Sequence, residues 1–369
     1  MTYDCVIVGA GLSGLYSAYL LASTDADFRV LEARPRIGGR IDCATRALGD
    51  EGVARYDLGP AWIWPELQPT MMRLLQTLDI DIFPQATHGA ALYEDASTPV
   101  PQRMAGESPH AQSYRIAGGA LSLAEALAGH VPDGRLSFDQ RVTRVTDEGD
   151  TVLLETEGVD GLAQYRARQV VFALPLRLLA RSIRFEPALP PLLYDSFVAT
   201  PTWMAGQAKF VAFYDEPLWE QQGLSGEVFS RLGPLTEVYD ASPREGGPAA
   251  LFGFYGLPAQ VRRQLGEESL LHHTLAQLGR LFGSRATRPT GYRIKDWSED
   301  PLTATEDDLM PLTQHPEYGL PEDLASLWEG RLVFSGSETV PLNGGYLEGA
   351  LEAGEAAFAA LYRGSPTDQ

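Results

Sequence analysis

The sequence predicts an α/β fold in which a parallel-sheet domain is interleaved with a smaller α+β domain. The chain opens with an apolar strand pattern, a glycine-rich turn and a helical pattern, which is typical of the first unit of a doubly wound sheet. Its last segment again has a strand pattern followed by a long Ala-rich helical pattern, which would close the same domain. Because 369 residues exceed what one core usually holds, we expect two domains.

The middle of the chain leaves the first domain twice. Between 84 and about 113, Pro, Gly and Ser are scattered without sustained periodicity, which indicates an excursion. After 185 the pattern changes to strands over 208–214 and 249–255, with helices near 258–265 and 270–282. We therefore assign 1–83, 116–185 and 296–369 to the first domain, and 84–115 and 186–295 to the second.

Composition excludes several classes of protein. The net charge of −20 and pI near 4.7 provide no basic patch for nucleic acid. The acidic field would either concentrate cationic substrates or serve solubility alone. No apolar window is long enough for a membrane helix, and no leader pattern precedes the first strand. The two cysteines, Cys5 and Cys43, form no disulfide framework, which fits a reducing compartment. We therefore expect a cytoplasmic protein that does not contact a membrane.

The glycine-rich turn after the first strand has the spacing of a dinucleotide-binding loop. Its candidate residues are Gly9, Gly11, Leu12, Ser13 and Gly14. Gly9 permits the turn, Gly11 lets the backbone approach a pyrophosphate, and Gly14 lets the helix pack closely on the strand. The helix N-terminus offers free N–H groups to the phosphates.

An acidic residue follows at the required distance. The apolar run 28–31 ends at Glu32, 18 residues beyond Gly14, where a carboxylate would accept hydrogen bonds from an adenosine ribose. The strand, the glycine-rich turn, the helix and the acidic residue thus follow one another at the spacing of a dinucleotide-binding unit. At this point both NAD and FAD fit the pattern.

A second glycine pair then favours FAD. After Ala33 and Arg34 come Gly38, Gly39 and Arg40, whose guanidinium would clamp the same pyrophosphate. This stretch resembles the flavin-containing amine oxidase family, in which it extends the FAD site. The next family motif, which runs beneath the isoalloxazine, is matched by Gly59, Pro60, Ala61 and Trp62, with Pro60 in place of the commoner glycine.

The resemblance continues to the end of the chain. It implies that Val142 contacts adenine, that Glu338 belongs to the ribityl or phosphate neighbourhood, and that Leu347 supplies a backbone donor to the flavin. The same motifs add Trp297, Gly336 and Ala350 to the expected cofactor site. We expect FAD to be the cofactor and to be held without a covalent bond, because Glu306 and Asp307 stand where the family often has a cysteine or small residue and an aromatic residue.

Two residues are candidates for the catalytic face. Lys209, on an apolar strand pattern, resembles the family lysine that holds a water against flavin N5. A lysine is costly to bury unless it is paired or hydrated, which suits an active site. Tyr346 resembles one wall of the family's aromatic cage. Since Asp307 replaces the other aromatic residue, we expect that cage to be incomplete or rebuilt.

The function implied by the resemblance is oxidation of a primary or secondary amine, with hydride transfer to flavin N5, imine hydrolysis and reoxidation by dioxygen to give hydrogen peroxide. Two alternatives stay open: a flavin oxidase or desaturase of a non-amine substrate, and an FAD-binding protein without amine turnover. The six histidines show no ligand-like spacing, so no metal is expected. The sequence leaves the oligomeric state open.

Overall fold

The computed structural model describes residues 1–48, 52–97, 100–104, 106, 108–244, 246–310, 312, 314–321 and 327–363. Parts of the predicted segments 1–83, 84–115, 186–295 and 296–369 lie outside these residues. The helices are α1 (Leu12–Leu21), α2 (Pro69–Thr77), α3 (Ala120–Gly129), α4 (Leu176–Ser182), α5 (Pro191–Ala199), α6 (Ala259–Phe282) and α7 (Leu347–Arg363).

The strands follow in chain order. They are β1 (Thr2–Val8), β2 (Phe28–Leu31), β3 (Cys43–Ala47), β4 (Val53–Asp57), β5 (Ile82–Pro84), β6 (Ala90–Glu94), β7 (Gln102–Met104), β8 (Tyr114–Ile116), β9 (Leu136–Ser137), β10 (Arg141–Asp147), β11 (Val152–Gly158), β12 (Gly161–Phe172), β13 (Arg184–Glu186), β14 (Ala208–Tyr214), β15 (Leu224–Ser230), β16 (Leu235–Asp240), β17 (Ala249–Tyr255), β18 (Gly291–Asp296) and β19 (Leu332–Phe334).

The first sheet is parallel at its centre, in the order β9-β2-β1-β12-β19. The earlier half of β12 leaves this centre and pairs antiparallel with β11, which continues to β10 and β13. Helices α1, α3 and α7 cover one face, where Leu15, Leu123 and Leu351 are fully buried. An α/β domain of the dinucleotide-binding kind is therefore present, with its strands ending at the glycine-rich turn.

The second sheet has the order β18-β14-β17-β16-β15-β6-β7 and combines both excursions from the first domain. Strand alternation gives it two different faces. Even-numbered residues of β14, such as Phe210 and Ala212, pack with α6, whereas Val211 and Phe213 face β3 and β4. Lys209 belongs to the second set, so the sheet turns this lysine toward the first domain.

The structure gives the detail of three predicted segments. The excursion after 84 contributes β6 and β7 to the second sheet. Helix α6 is interrupted at Gly266, where φ is 74° and ψ is 160°, so it consists of two helical parts, as predicted near 258–265 and 270–282. Helix α5, predicted in the second domain, packs on the first, with Phe197 against Phe334 at 4.9 Å between ring centroids.

The two ends of the chain meet inside the first domain. The Ser13 hydroxyl, in the first turn of α1, donates to the carbonyl oxygen of Ser335, and the Ser13 and Ser335 hydroxyls lie 2.6 Å apart. Ser335 in turn donates to the Ala353 carbonyl of α7 at 3.0 Å. The amino-terminal loop is thus fastened to the carboxy-terminal strand and helix. Within the described ranges no helix is long and apolar enough to cross a membrane.

Candidate functional site

A cavity of about 550 Å³ lies between the two sheets. The glycine-rich turn and the end of β2 form one end of it, and the inward face of β14, β16 and β17 forms the other. The start of α7 and the loop before it close one side. The cavity therefore joins the motifs at the two ends of the chain to the residues of the second sheet.

The turn before α1 has the shape of a phosphate cradle. A Cβ built on Gly11 would meet no atom within 4 Å among the described residues, so a side chain there would enter the cavity. Gly39 approaches from the other side, since its Cβ would lie 3.2 Å from the Gly11 Cα. Gly11 is also the N-cap of α1 and has no side chain to cap the first turn. The free N–H groups are left for a ligand anion.

Gly14 and Glu32 shape this loop. A Cβ on Gly14 would lie 2.0 Å from the carbonyl oxygen of Gly9, so α1 can pack this closely only with glycine there. The Glu32 carboxylate is 3% exposed and accepts N–H bonds from Ala10 at 2.7 Å and Arg34 at 2.8 Å. Glu32 lines the cavity, whereas Gly14 is not part of the lining and contributes through the packing of α1 on the loop.

Arg40 and Glu338 form an ion pair beside the cavity. Arg40 Nη1 and Nη2 donate to the two Glu338 oxygens at 2.6 and 3.0 Å, and further to the Trp203 carbonyl and the Ser337 hydroxyl. Burial alone would raise the pKa of the fully buried Glu338 carboxyl, but the Arg40 charge and these hydrogen bonds hold it below its ordinary value. Arg40 lines the cavity, but its fork is directed at Glu338, and Glu338 lies outside the lining.

Lys209 lies on the cavity wall and is 2% exposed. Its Nζ donates to the Gly59 carbonyl at 3.0 Å and lies 4.0 Å from the centre of the Phe252 ring. Burial lowers the pKa of this amine from 10.5 to about 7, with the attraction of Asp57 opposing the shift and Arg115 adding to it. Burial therefore favours the neutral amine of Lys209 over its charged form.

Tyr346 lines the cavity and is 37% exposed. Its ring stacks on His315 at 4.9 Å, and Trp203 lies 6.0 Å away at an angle of 59°. Glu306 and Asp307 are not part of the cavity lining; they lie in a short 3-10 turn, where Asp307 accepts bonds from the exposed Arg181. The second wall of the aromatic cage is therefore missing at the predicted position, and Trp203 is the aromatic neighbour instead.

The cavity brings together most of the predicted site. The lining includes Gly9, Gly11, Leu12, Ser13, Glu32, Ala33, Arg34, Gly39, Arg40, Gly59, Pro60, Ala61, Trp62, Val142, Lys209, Trp297, Gly336, Tyr346, Leu347 and Ala350. Trp297 donates its indole N–H to the Leu58 carbonyl at 3.1 Å, which fixes it beside the motif at 59–62. Within the described residues, no cluster of His, Cys, Asp or Glu has the arrangement of a metal site.

Comparison with known proteins identifies the family. The pattern of the family described as flavin containing amine oxidoreductase matches residues 83–361, and that of the NAD(P)-binding Rossmann-like domain matches residues 7–78. This chain belongs to the flavin-containing amine oxidoreductase family. It is a flavin-dependent amine oxidase, and its cofactor is FAD.

Individual relatives agree with this family. Amine oxidase [flavin-containing] B of Sus scrofa is 24% identical and aligns over 96% of this chain and 85% of its own length. The probable flavin-containing monoamine oxidase A of Dictyostelium discoideum is 28% identical over 66% of this chain, a match that spans 52% of that relative.

Two solved structures share the fold of this amine oxidase. A putrescine oxidase bound to putrescine has a TM-score of 0.79 at 21% identity, over 98% of this chain and 99% of its own. The cyclohexylamine oxidase from Brevibacterium oxydans IH-35A has a TM-score of 0.78 at 21% identity, with the same coverage.

Several cavity residues of this amine oxidase were not found from the sequence. They are Trp203, Gln207, Glu237 and Phe254, all from segments joined to the second sheet. No local motif marks them, because strand pairing and the turn after α5 bring them to the cavity. Met204, beside Trp203, has a φ of 61°, a left-handed value that nothing in the sequence predicts.

Proposed function

We propose that this protein oxidises a primary or secondary amine to an imine, which water hydrolyses to a carbonyl compound and ammonia or a shorter amine. Bound FAD would accept a hydride equivalent from the α-carbon of the amine at N5, and dioxygen would take the two electrons to give hydrogen peroxide. The observation that carries the proposal is that the buried amine of Lys209 and the ring of Tyr346 line one cavity with the glycine-rich turn.

The proposed roles of the first-domain residues follow from their positions. The backbone around Gly11 and the first turn of α1 would hold the pyrophosphate, and Glu32 would accept bonds from the adenosine ribose. We assign to the Arg40–Glu338 pair the task of fixing the wall beside the cofactor rather than binding phosphate through the guanidinium fork. Leu347, at the start of α7, would offer a backbone donor to the flavin edge.

The residues of the second sheet would handle the amine. Lys209 would hold a water against the flavin and exchange its proton, because its lowered pKa lies near neutrality. Tyr346 would orient the amine by offering the face of its ring. The neutral form of Lys209 also avoids placing a fixed positive charge against a substrate that arrives as a cation.

We further propose that FAD is held without a covalent link and that the enzyme acts in the cytoplasm. Cys5 is buried in β1 and Cys43 lies in β3, and the cavity lining includes neither thiol. Burial raises the pKa of Cys5 to about 12 and that of Cys43 to about 11, so both stay protonated and unreactive. Two free thiols also accord with a reducing compartment.

Anaerobic mixing with a panel of amines tests the proposal. We expect primary or secondary amines to bleach the flavin absorbance, and we expect admitted oxygen to restore it with one hydrogen peroxide per turnover. If no amine bleached the flavin but a non-amine substrate did, the protein would be a different flavin oxidase. If nothing reduced it, the protein would bind FAD without turnover.

A further inference from the structure

Glu237 lies two strands away from Lys209 on the same face of the second sheet. Lys209 pairs with Phe254 across β14 and β17, and Phe254 pairs with Glu237 across β17 and β16. Paired residues point to the same side of a sheet, and neighbouring strands are about 4.8 Å apart. The three residues therefore form a row of about 10 Å along the cavity, which all of them line.

Glu237 is a half-buried carboxylate without a positive partner. Its Oε2 accepts the hydroxyl of Tyr239 at 2.8 Å, and no arginine or lysine of the described residues forms an ion pair with it. In the described part of the chain, the other carboxylate that lines the cavity is Glu32, whose two oxygens are held by backbone N–H groups. Glu237 is thus the carboxylate left free to bind a ligand cation.

A second carboxyl group, that of Glu227, lies near Glu237. Glu237 pairs with Phe229 across β15 and β16, and the Glu227 carboxyl, two residues before Phe229, is buried and accepts the Ser108 hydroxyl at 2.8 Å. Burial, together with the negative charge of Glu237, raises the pKa of Glu227. On the cavity side the row is bordered by the ring of Trp62, which lies 4.8 Å from that of Tyr239. Such a pocket favours an organic cation with an apolar stem.

We infer that Glu237 binds a second cationic group of the amine substrate, so that the preferred substrates are α,ω-diamines or longer polyamines. This inference rests on the proposed amine oxidation. One nitrogen would lie near Lys209 and the flavin, and the other would be held by Glu237, with the carbon chain along Phe254. The carboxylate is unpaired in the free enzyme, so the incoming ammonium supplies the missing counter-charge without displacing an existing ion pair.

The test is anaerobic stopped-flow reduction of the flavin by two matched series. One series runs from 1,4-diaminobutane to 1,8-diaminooctane, and the other from n-butylamine to n-octylamine. For the wild type we expect the best diamine to exceed the alkylamine of equal length about tenfold or more in the ratio of reduction rate to dissociation constant. In Glu237→Gln we expect that ratio to fall about 10- to 100-fold for diamines and to stay within about twofold for alkylamines.

Two further variants sharpen the test. Glu237→Asp keeps the charge but withdraws it by one methylene, so the preferred diamine should become longer by about one carbon. Glu157→Gln, at an exposed position of β11, removes an equal charge outside the cavity lining and should change neither series. Flavin content and melting temperature equal to those of the wild type show that each variant is folded.

The contrary outcomes are distinct. If wild type and Glu237→Gln reduced equally well with both series, or if Glu237→Gln lost both series equally, the diamine inference would be wrong while amine oxidation stood. An Asp variant with an unchanged length optimum would also argue against direct contact with the substrate. If neither series reduced the wild-type flavin, the proposed function would fail and this inference with it.

Discussion

Replacement of Lys209 by Met tests the electrostatic reading of the cavity. Methionine keeps most of the length and apolar stem of the side chain but removes the amine. In the native chain this amine is 2% exposed, has the Gly59 carbonyl as hydrogen-bond acceptor and lies over the Phe252 ring. Because burial disfavours its charged form, the pKa falls from 10.5 to about 7.

The size of the effect follows from this shift. Each pKa unit is worth about 1.4 kcal/mol, so charging Lys209 in the fold costs roughly 5 kcal/mol more than in the unfolded chain. Below pH 7 the amine is charged in both states and the whole cost is present. As the pH rises from 7 to 10.5, only the unfolded chain keeps the proton, so the cost shrinks and vanishes above 10.5.

Urea unfolding of the flavin-free proteins at pH 6 and pH 9 measures this difference. We expect Lys209→Met to be more stable than the wild type at pH 6, and its advantage to shrink by about 2–3 kcal/mol at pH 9. Flavin is left out because a bound cofactor would change the solvation of the amine. A stability difference that is the same at both pH values would refute the lowered pKa and with it the proposed proton exchange.

Three other substitutions test separate parts of the site. Gly11→Val should abolish FAD binding while leaving the melting temperature of the flavin-free protein unchanged, because the new side chain fills the cavity rather than the core. Glu338→Gln should lower the free energy of unfolding by about 3 kcal/mol, measured in urea, since it leaves the charge of Arg40 without its partner. Tyr346→Ala should slow anaerobic flavin reduction by an amine about 10- to 30-fold, through loss of the aromatic face.

Matched variants separate these effects from general damage. Gly14→Ala places a Cβ 2.0 Å from the Gly9 carbonyl, so here the flavin-free protein itself should melt lower, unlike Gly11→Val. Glu329→Gln removes an exposed carboxylate paired with Arg331 and should leave unfolding almost unchanged. Full FAD binding by Gly11→Val, or equal stability of Glu338→Gln and the wild type, would contradict the assigned roles.

Most residues that the sequence predicts for the nucleotide end of the site line the cavity, and local geometry dictates several of them. A side chain at Gly11 would enter the cavity, and a side chain at Gly14 would collide with the loop before α1. Glu32 directly follows β2, the strand that pairs with β1. Lys209 was predicted from its resemblance to the family lysine, supported by its place in an otherwise apolar strand pattern. Such signals lie within short stretches of chain, so one sequence suffices to read them.

Site features that depend on contacts between distant parts of the chain could not be predicted from the sequence. Glu237 enters the cavity through the strand register of β16 and β17, which no periodicity specifies. The guanidinium of Arg40 was expected to clamp phosphate, but its partner Glu338 lies 298 residues away and directs the fork elsewhere. Likewise, Trp203 rather than the residue at position 307 is the aromatic neighbour of Tyr346. This depends on where α5 and the turn after it pack.

In the proposed function, the glycine-rich turn at the start of the chain and the segment around Gly336 and Leu347 hold one FAD between them. The flavin content of the purified, folded protein, measured by absorbance before and after acid denaturation, tests this arrangement. We expect a yellow protein that releases about one FAD per chain on denaturation. A folded, colourless protein that takes up no FAD on titration would contradict it.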